Sequence, residues 1–429
     1  MGVCKLACVC CGAEVGGAAV ARAAGGRVTC PRCGPDDGIL EAHFDFDEAR
    51  RTLTRATLAA RPRTHWRYRE LLPLDEARCP ASADLDHIGW TPILEAPRLS
   101  TALGIGRLRL KDEGRSASAS FKDRASSVGV ARAMQEGFRA IACASTGNAA
   151  SSLACCAARA GLECNIFVSQ IVPEAKLAQL LACGARVFKL RGDYEQAYDL
   201  CTAACERFGW YNRNAAINPY LVEGKKTGGM EIAEQCMDDP PEWVVCSIGD
   251  GCSIAGVYKG VASMRAVGLT DWSVRMLGVQ AAGVAPLVEA LASGSLDDWR
   301  KRLSAGSRPD TYADSINCPV PRNWRKAVRA LRESDGALVT VSDDQIREAV
   351  RLTGRLAGVF AEPAAAAAVA GVAEARRQGI LNQRANVLAM ITGSGLKDVR
   401  GALSAVGGPH EIDPELGAVE EVLKQCASR

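Results

Sequence analysis

The sequence predicts an α/β protein built on parallel sheets, and three observations support this fold class. Short apolar runs alternate with longer amphipathic segments beyond about residue 105, which is the pattern of repeated βαβ units. Apolar residues make up 48% and charged residues 24% of the 429 residues, as in a globular protein of two or three domains. Aromatic residues are only 5%, so we expect closely packed helices rich in small side chains.

Charge and cysteine usage exclude several functional classes. The 52 lysines and arginines nearly balance the 49 acidic residues, which argues against a nucleic-acid or anionic-membrane partner. The first ten residues lack the pattern of an export signal, and no uncharged run is apolar enough to cross a membrane. Most of the 19 cysteines are scattered through helical patterns, where they act as small core residues rather than a disulfide scaffold. We therefore expect a reduced, cytoplasmic protein.

Residues 1–37 differ from the rest of the chain. Cys8 and Cys11 form one C-x2-C pair, Cys30 and Cys33 form a second, and a glycine follows each pair. Two such turns can present four thiolates in the tetrahedral geometry that zinc prefers. We predict a four-Cys, zinc-ribbon-like module with a structural metal, because four thiolates leave no open position for catalysis. The alternative that the thiols carry no metal stays open.

Residues 38–105 form a polar, arginine-rich connecting region with helical stretches. Beyond it the apolar periodicity predicts a regular series of elements. The predicted strands are Leu108–Leu110, Ala140–Ala144, Cys164–Val168, Arg186–Leu190, Trp243–Ile248, Val274–Gln280, Ala337–Val341 and Val387–Ile391. The predicted helices are Lys122–Glu136, Asn148–Ala160, Glu174–Ala182, Tyr194–Phe208, Lys225–Gln235, Ser253–Val267, Trp324–Ser334, Asp343–Leu356 and Pro363–Gln378.

Ligands of open parallel sheets bind where the strands end, and two loops there are suited to anions. The segment 249–253 follows a predicted strand with two glycines and precedes a helix, a pattern that favours a single phosphate. It lacks the spacing of nucleoside-triphosphate or dinucleotide loops. The segment 145–148 offers hydroxyl and amide donors for a carboxylate, although an ordinary helix N-cap uses the same residue types.

Two further loops carry reactive groups. Lys122 stands at a predicted helix start among small residues, where the helix dipole and partial burial disfavour its ammonium form. Such a lysine is a candidate for condensing with an aldehyde, although most lysines at helix starts are solvated surface groups. Thr392 follows the last predicted strand and places a hydroxyl at the end of that strand. The alternative is that the segment 392–395 is a plain tight turn without a functional role.

Together and in this order, these loops resemble those of the threonine synthase family of fold-type II pyridoxal-phosphate enzymes. The resemblance spans about residues 85 to 400. The matching segments are Gly89-Trp90-Thr91-Pro92-Ile93, Ser120-Phe121-Lys122-Asp123-Arg124, Ser145-Thr146-Gly147-Asn148, Glu223-Gly224-Lys225-Lys226-Thr227, the loop 249–253, Glu362-Pro363-Ala364 and Thr392-Gly393-Ser394-Gly395-Leu396-Lys397-Asp398.

The resemblance implies a two-lobed, tryptophan synthase β-like architecture behind the four-Cys module. Residues 38–129 and 215–429 would form the large cofactor-binding lobe, and residues 130–214 a small mobile lobe. The family is commonly dimeric, so a homodimer is expected.

The resemblance also implies a role for each matching residue. Lys122 would be the catalytic lysine that holds the aldehyde of pyridoxal 5'-phosphate and moves protons at the substrate. Further cofactor contacts would come from Phe121, Asn148, Gly249, Asp250, Gly251, Cys252, Ser253 and Thr392. The substrate carboxylate would lie against Ser145, Thr146 and Gly147, with Asn148. A hydroxyl partner for the pyridine nitrogen, here Thr392, favours elimination and replacement over transamination.

The loop before Lys122 departs from the family's usual N-P-T-G-S and reads Ser116-Ala117-Ser118-Ala119-Ser120. Ser394 stands where histidine is common. The Asn and Thr that help seat the substrate in the family become Ser116 and Ser118 here. We expect Lys111, Arg115 and Arg124 to hold the phosphate or sulfonate of a substrate, with ordinary surface charge as the alternative for each, and Ser118 to contact the substrate.

Three functions stay open at this point. The first is the threonine synthase reaction, in which a carbon–oxygen lyase acting on phosphate converts O-phosphohomoserine and water to threonine and phosphate. The second, suggested by the altered loop, is β-replacement on O-phosphoserine, such as a cysteate synthase using sulfite. The third is an interaction protein with a zinc ribbon and a degenerate core. Either enzyme would take a small phosphorylated amino acid.

Overall fold

The computed structural model describes residues 5–15, 28–75, 85–170, 172, 174–215 and 217–427, and within them the strands form three sheets. In chain order the strands are β1 Lys5–Cys8, β2 Glu14–Val15, β3 Leu40–His43, β4 Ile93–Glu95, β5 Arg107–Asp112, β6 Ala140–Ala144, β7 Glu163–Val168, β8 Arg186–Lys189, β9 Tyr211–Asn212, β10 Trp243–Ser247, β11 Arg275–Ala281, β12 Ala337–Val341 and β13 Asn386–Ile391.

Two of the sheets are parallel, as the sequence predicted. The larger has the order β12-β11-β10-β13-β5-β4, with only its edge strand β4 antiparallel to its neighbour β5. The smaller has the order β8-β7-β6-β9 and is parallel throughout. The third sheet, β2-β1-β3, is antiparallel and carries the N-terminal cysteines. It includes residues 40–43, beyond the predicted module boundary at residue 37.

Helices connect the strands. In chain order they are α1 Gly34–Asp37, α2 Phe46–Thr52, α3 Arg55–Ala60, α4 Pro97–Leu103, α5 Lys122–Gln135, α6 Asn148–Ala160, α7 Glu174–Ala182, α8 Tyr194–Phe208, α9 Tyr220–Gln235, α10 Cys252–Ala266, α11 Pro286–Ser293, α12 Asp297–Ser304, α13 Trp324–Glu333, α14 Asp343–Ala357, α15 Pro363–Arg377, α16 Val399–Val406 and α17 Leu416–Ala427. Within the described ranges, no helix combines the length and the hydropathy needed to cross a membrane.

The predicted elements agree closely with these. Every predicted strand and helix is present, with ends shifted by no more than one or two residues, except that the helix expected from Lys225 begins at Tyr220. The short strands β1 to β4 and β9, and several helices outside the alternating region, were not predicted. The α/β fold class is therefore confirmed.

Helix α9 lies in the interior, between α5 and α10, and glycines set its position. A Cβ on Gly224 would lie 2.1 Å from the carbonyl oxygen of Arg124, and a Cβ on Gly229 would lie 1.9 Å from that of Val257. Since a real Cβ never comes this close, only glycine allows the backbones to pack at this distance. The approach brings Lys225 of α9 next to the start of both neighbouring helices.

A fully buried ionic network fixes α5 to its surroundings. The guanidinium of Arg124 donates to Glu113, with Nε to Oε2 at 2.9 Å, and to Glu231, with Nη1 to Oε1 at 2.7 Å. Lys111 Nζ donates to Glu231 Oε2 at 2.9 Å, and the N–H of Trp90 donates to Glu231 Oε1 at 2.7 Å. The network therefore holds the helix that begins with Lys122 against α9 and against the turn at residues 89–91.

The N-terminal module is also joined to the larger structure by charged contacts. Asp37 accepts hydrogen bonds from Arg300, with Nη1 to Oδ2 at 3.1 Å, and from Arg325. Lys326 Nζ donates to the carbonyl oxygen of Leu40 at 2.7 Å. Glu41 is paired with Arg329. Helix α13 and the residues before it thus form a charged seat for the module.

Candidate active site

A cavity of about 180 Å3 lies where the segments that follow β6, β10 and β13 meet. It brings together predicted residues that are far apart in the sequence. Those that line it are Lys122, Asn148, Gly249, Asp250, Gly251, Cys252, Ser253 and Thr392. Phe121 is buried next to it and donates its N–H to the carbonyl oxygen of Thr392 at 2.8 Å. This backbone contact holds the start of α5 against the end of β13.

Lys122 is the first residue of α5. Burial is the main cause that lowers the pKa of its ammonium group to about 8, and Lys225 is the next. A lysine with this pKa carries a large neutral fraction near physiological pH, unlike a solvated lysine. The Lys122 amine can therefore act as a nucleophile or a proton acceptor inside the cavity.

The glycine segment forms a cradle ahead of α10. Gly251 has φ +94°, and a Cβ there would lie 2.9 Å from the carbonyl oxygen of Asn323. Cys252 begins the helix, so the cradle faces the positive end of the α10 dipole. The carboxylate of Asp250 points to the neighbouring loop, where it accepts from Arg322 N–H at 2.7 Å and from Asn323 Nδ2 at 2.7 Å. Asp250 thus braces the loop instead of repelling an anion in it.

Asn148 and Glu362 meet in the cavity wall. Asn148 Nδ2 donates to both carboxylate oxygens of Glu362 at 3.0 Å, while its Oδ1 is buried and accepts no hydrogen bond from the described residues. Burial raises the pKa of the Glu362 carboxyl. The carboxylate orients the amide, so the free Oδ1 can accept a hydrogen bond from a ligand.

The predicted carboxylate-binding residues lie directly ahead of Asn148. Ser145 Oγ accepts from the N–H of Gly147 at 3.1 Å, and Gly147 is the N-cap of α6. Ser145 and Thr146 are half-buried, but the cavity is lined by Asn148 and Ala149 at this end. Binding of a substrate carboxylate by residues 145–147 stays a prediction.

Three residues of the predicted substrate-binding set are corrected. Lys111 is buried, and its ammonium donates to Thr91 O at 2.8 Å, Glu231 Oε2 at 2.9 Å and Gln235 Oε1 at 2.7 Å. All three of its protons are thus taken, and none is left for a substrate.

Ser118 is corrected for a similar reason. It directs its N–H and its hydroxyl to the carboxylate of Asp123, at 2.7 Å and 2.5 Å. Arg124 is fully buried and donates to Glu113 and Glu231. We therefore remove Lys111, Ser118 and Arg124 from the set. Arg115 is exposed on the loop, and its role stays a prediction.

Three charged residues that were given no role also line the cavity: Lys225, Arg213 and Glu362. Lys225 and Glu362 lie inside segments that carried the family resemblance, so their positions were visible but their orientation was not. Arg213 follows the two-residue strand β9, which is too short to leave a periodic signal.

The four predicted metal ligands do come together. The sulfur atoms of Cys8, Cys11, Cys30 and Cys33 all lie within 4.8 Å of one another. The Cys11 and Cys30 sulfurs are 3.7 Å apart, close to the edge of about 3.8 Å that follows from tetrahedral Zn–S bonds of 2.3 Å. Each knuckle closes with a hydrogen bond from the following glycine to the first cysteine, Gly12 to Cys8 and Gly34 to Cys30. The predicted four-Cys module is thus present, and its thiols fit a metal ion.

Comparison with known proteins agrees with this geometry. A family model described as pyridoxal-phosphate dependent enzyme matches residues 85–393. The threonine synthase of Methanosarcina acetivorans is 34% identical over 419 residues, which cover 97% of this chain and 98% of that protein. The chain belongs to the threonine synthase family. The threonine synthase of Mycobacterium leprae is 35% identical over 357 residues, covering 83% of this chain and 94% of that one.

Solved structures confirm the fold expected of this family. Maize serine racemase superposes with a TM-score of 0.60 at 18% identity, covering 79% of this chain and 92% of its own. Threonine deaminase isoform 2 of Solanum lycopersicum gives a TM-score of 0.60 at 22% identity, covering 77% and 91%. The prediction of a fold-type II pyridoxal-phosphate enzyme is therefore correct.

The cavity fits the cofactor of the threonine synthase family. A half-buried amine, a glycine cradle at a helix N-terminus, an unsatisfied amide oxygen and a threonine hydroxyl line one small space. They match the aldehyde, phosphate, ring hydroxyl and pyridine nitrogen of pyridoxal phosphate in chemical type. Lys122, the segment 249–253, Asn148 and Thr392 are thus the residues that would hold it.

Proposed function

We propose that the protein is a threonine synthase, which converts O-phosphohomoserine and water to threonine and inorganic phosphate. The near full-length similarity to threonine synthases supports the reaction. The observation that carries the proposal is the half-buried amine of Lys122 in one cavity with the glycine cradle. A degenerate core would have no reason to keep both.

Pyridoxal phosphate supplies an electron sink that makes hydrogens near the amino-acid nitrogen acidic. The protein has to move the protons, and Lys122 is placed to do so. With a pKa of about 8, its amine can take a proton from a substrate carbon and return it to another. The phosphate leaves from the γ carbon, and water adds at the β carbon. Thr392 would offer a hydroxyl to the ring nitrogen of the cofactor, and a hydroxyl would not enforce protonation there, which would favour elimination over transamination.

We further propose that residues 130–214 close on the substrate as a mobile lobe. Asn148 and Arg213 of this segment line the same cavity as Lys122 and Thr392 outside it. Lys397 Nζ already bridges the two parts, donating to Ser151 Oγ at 2.8 Å and to Gln179 Oε1 at 2.7 Å. Closure would exclude bulk water during elimination.

The test is product analysis with purified holoenzyme. O-phosphohomoserine should yield equal amounts of phosphate and threonine, and Lys122→Ala should yield neither. A parallel incubation with O-phosphoserine and sulfite tests the β-replacement alternative. Release of phosphate from the serine compound alone would contradict the threonine synthase assignment and favour the alternative.

The cytoplasmic location and the homodimer belong to the same proposal. All of the cysteines among the described residues are free thiols, which suits a reducing compartment. Light scattering of the purified protein would measure its mass in solution directly, and a monomer of 45.3 kDa would contradict the homodimer.

A further inference from the structure

Lys225 places a buried ammonium group in the cavity wall without a counter-ion. Its side chain lies in the first half of α9 and is 4% exposed, and it lines the cavity together with Lys122 and Cys252. Within the described part of the chain, no carboxylate pairs with it. The next residue is a clear contrast, because Lys226 pairs with Glu223 at 2.6 Å and lies over the Phe44 ring at 3.6 Å.

The position of Lys225 is set by the backbone rather than by a flexible loop. A Cβ on Gly256 of α10 would lie 2.8 Å from the Cβ of Lys225. Gly256 therefore lets α10 pack directly against this residue, one helical turn beyond Cys252. The ammonium is thus held beside the positive end of the α10 dipole, where any bound anion would also be favoured.

Other charges around the cavity increase the need for an anion. Arg213 and Lys122 line the same space. Two carboxylates also line it, and other groups engage both of them. Asp250 accepts from Arg322 N–H and Asn323 Nδ2, and Glu362 accepts from Asn148. Burying an ammonium without an opposite charge is unfavourable. The site is therefore complete only when a ligand brings a negative group.

We propose that Lys225 binds a phosphate monoester in this cavity and makes the site selective for phosphorylated ligands. The inference rests on the proposed function, which places two such groups here. One is the phosphate tail of the cofactor at the segment 249–253, and the other is the phosphate that leaves the substrate. Both offer a dianion to which one ammonium can donate.

The experiment compares Lys225→Met, which removes the charge at similar length, with Lys225→Arg, which keeps it. Lys189→Met is the control, because Lys189 is exposed on β8. In the first arm, apoprotein is titrated with pyridoxal 5'-phosphate and with pyridoxal, and tryptophan fluorescence reports binding. In the second arm, holoenzyme is titrated with inorganic phosphate by calorimetry, and KM and kcat are measured for O-phosphohomoserine.

We expect Lys225→Met to weaken binding at least about tenfold, the loss of one charge-assisted hydrogen bond. A loss of the preference for pyridoxal phosphate over pyridoxal assigns Lys225 to the cofactor tail. A weaker phosphate affinity and a raised KM, with that preference intact, assign it to the substrate phosphate. In either case Lys225→Arg should recover most of the loss.

Binding within twofold of the wild type in both arms would overturn the inference. If Lys225→Met does not fold, Lys225→Gln is titrated with inorganic phosphate in its place, and unchanged affinity again counts against the inference. Failure of the proposed function has a different signature, since the wild type itself would then release no phosphate from O-phosphohomoserine. The inorganic phosphate titration still tests Lys225 in that event.

Discussion

Replacing Glu231 by glutamine tests the buried network beneath the helix that begins with Lys122. Glu231 accepts two hydrogen bonds from Arg124, one from Lys111 and others from the N–H groups of Trp90 and Thr91. The carboxylates and cations of its ion pairs are 0% exposed. Glutamine keeps one carbonyl oxygen as an acceptor, but its amide NH2 group would face Arg124 and Lys111. The positive charge of these two side chains would then be uncompensated.

The expected loss follows from the burial. Removing one partner of a buried ion pair costs about 3–5 kcal/mol, whereas an exposed pair contributes below about 1 kcal/mol. Glu95 provides the matched control, since it pairs with Arg107 with both side chains partly exposed, at 54% and 38%. Glu231→Gln should therefore lower the free energy of unfolding by at least about 3 kcal/mol, and Glu95→Gln by less than 1.

Urea unfolding followed by tryptophan fluorescence measures both variants. Burial raises the pKa of the Glu231 carboxyl, but Arg124 and Lys111 outweigh it, so this pKa lies well below its ordinary value. A depressed pKa stabilises the folded state fully above the unfolded pKa, and this effect is lost progressively as the pH falls from there toward the folded pKa. The difference between wild type and Glu231→Gln should therefore be constant around neutral pH. A loss no larger than that of Glu95→Gln would refute the reasoning.

Three further predictions concern the loop, the lysine and the module. Ala119 has φ +61°, a conformation that favours glycine, so Ala119→Gly should raise the free energy of unfolding by about 0.5–1 kcal/mol; an unchanged or lower urea midpoint would contradict this. The pKa of Lys122 is about 8, so the rate at which apoprotein captures pyridoxal phosphate should rise roughly fivefold from pH 7 to pH 8 and level off above pH 9. Stopped-flow mixing measures this rate. A rate that keeps rising tenfold per pH unit would indicate an ordinary lysine. Cys11→Ser should lose zinc and have a lower melting temperature, whereas Cys10→Ser should keep the metal. A metal-sensitive dye added after unfolding measures the zinc content. Equal zinc content in the two variants would argue against the four-Cys site.

The sequence predicts best what is local. Buried parallel strands are continuous apolar runs, so β6, β7 and β10 were found almost to the residue. The strand β9 has two residues and leaves no pattern. The start of α9 was placed five residues late because Glu223 and Lys225 look like a solvent face, yet this helix is buried and its charges face other elements.

The site residues, too, were predicted where the local sequence shows their chemistry and missed where only distant contacts do. Lys122 and the segment 249–253 were predicted because each sits in a short motif whose chemistry is visible by itself. The substrate role of Lys111 was wrong because its partner Glu231 lies 120 residues away, and no local pattern reveals such a pair. Lys225 was missed because an unpaired buried cation can be recognised only when its neighbours are known.

The charged seat beneath the four-Cys module bears on how the protein can be divided. The family-matching segment begins at residue 85, which suggests a convenient place to trim the chain. Trimming there would strip the carbonyl of Leu40 from Lys326 and the carboxylates of Asp37 and Glu41 from Arg300, Arg325 and Arg329. Arg325 and Arg329, one turn apart on α13, would then repel each other without these carboxylates, and Arg300 of α12 would also lose its partner. The smallest unit that can be expected to express as a working catalyst thus includes the cysteine turns.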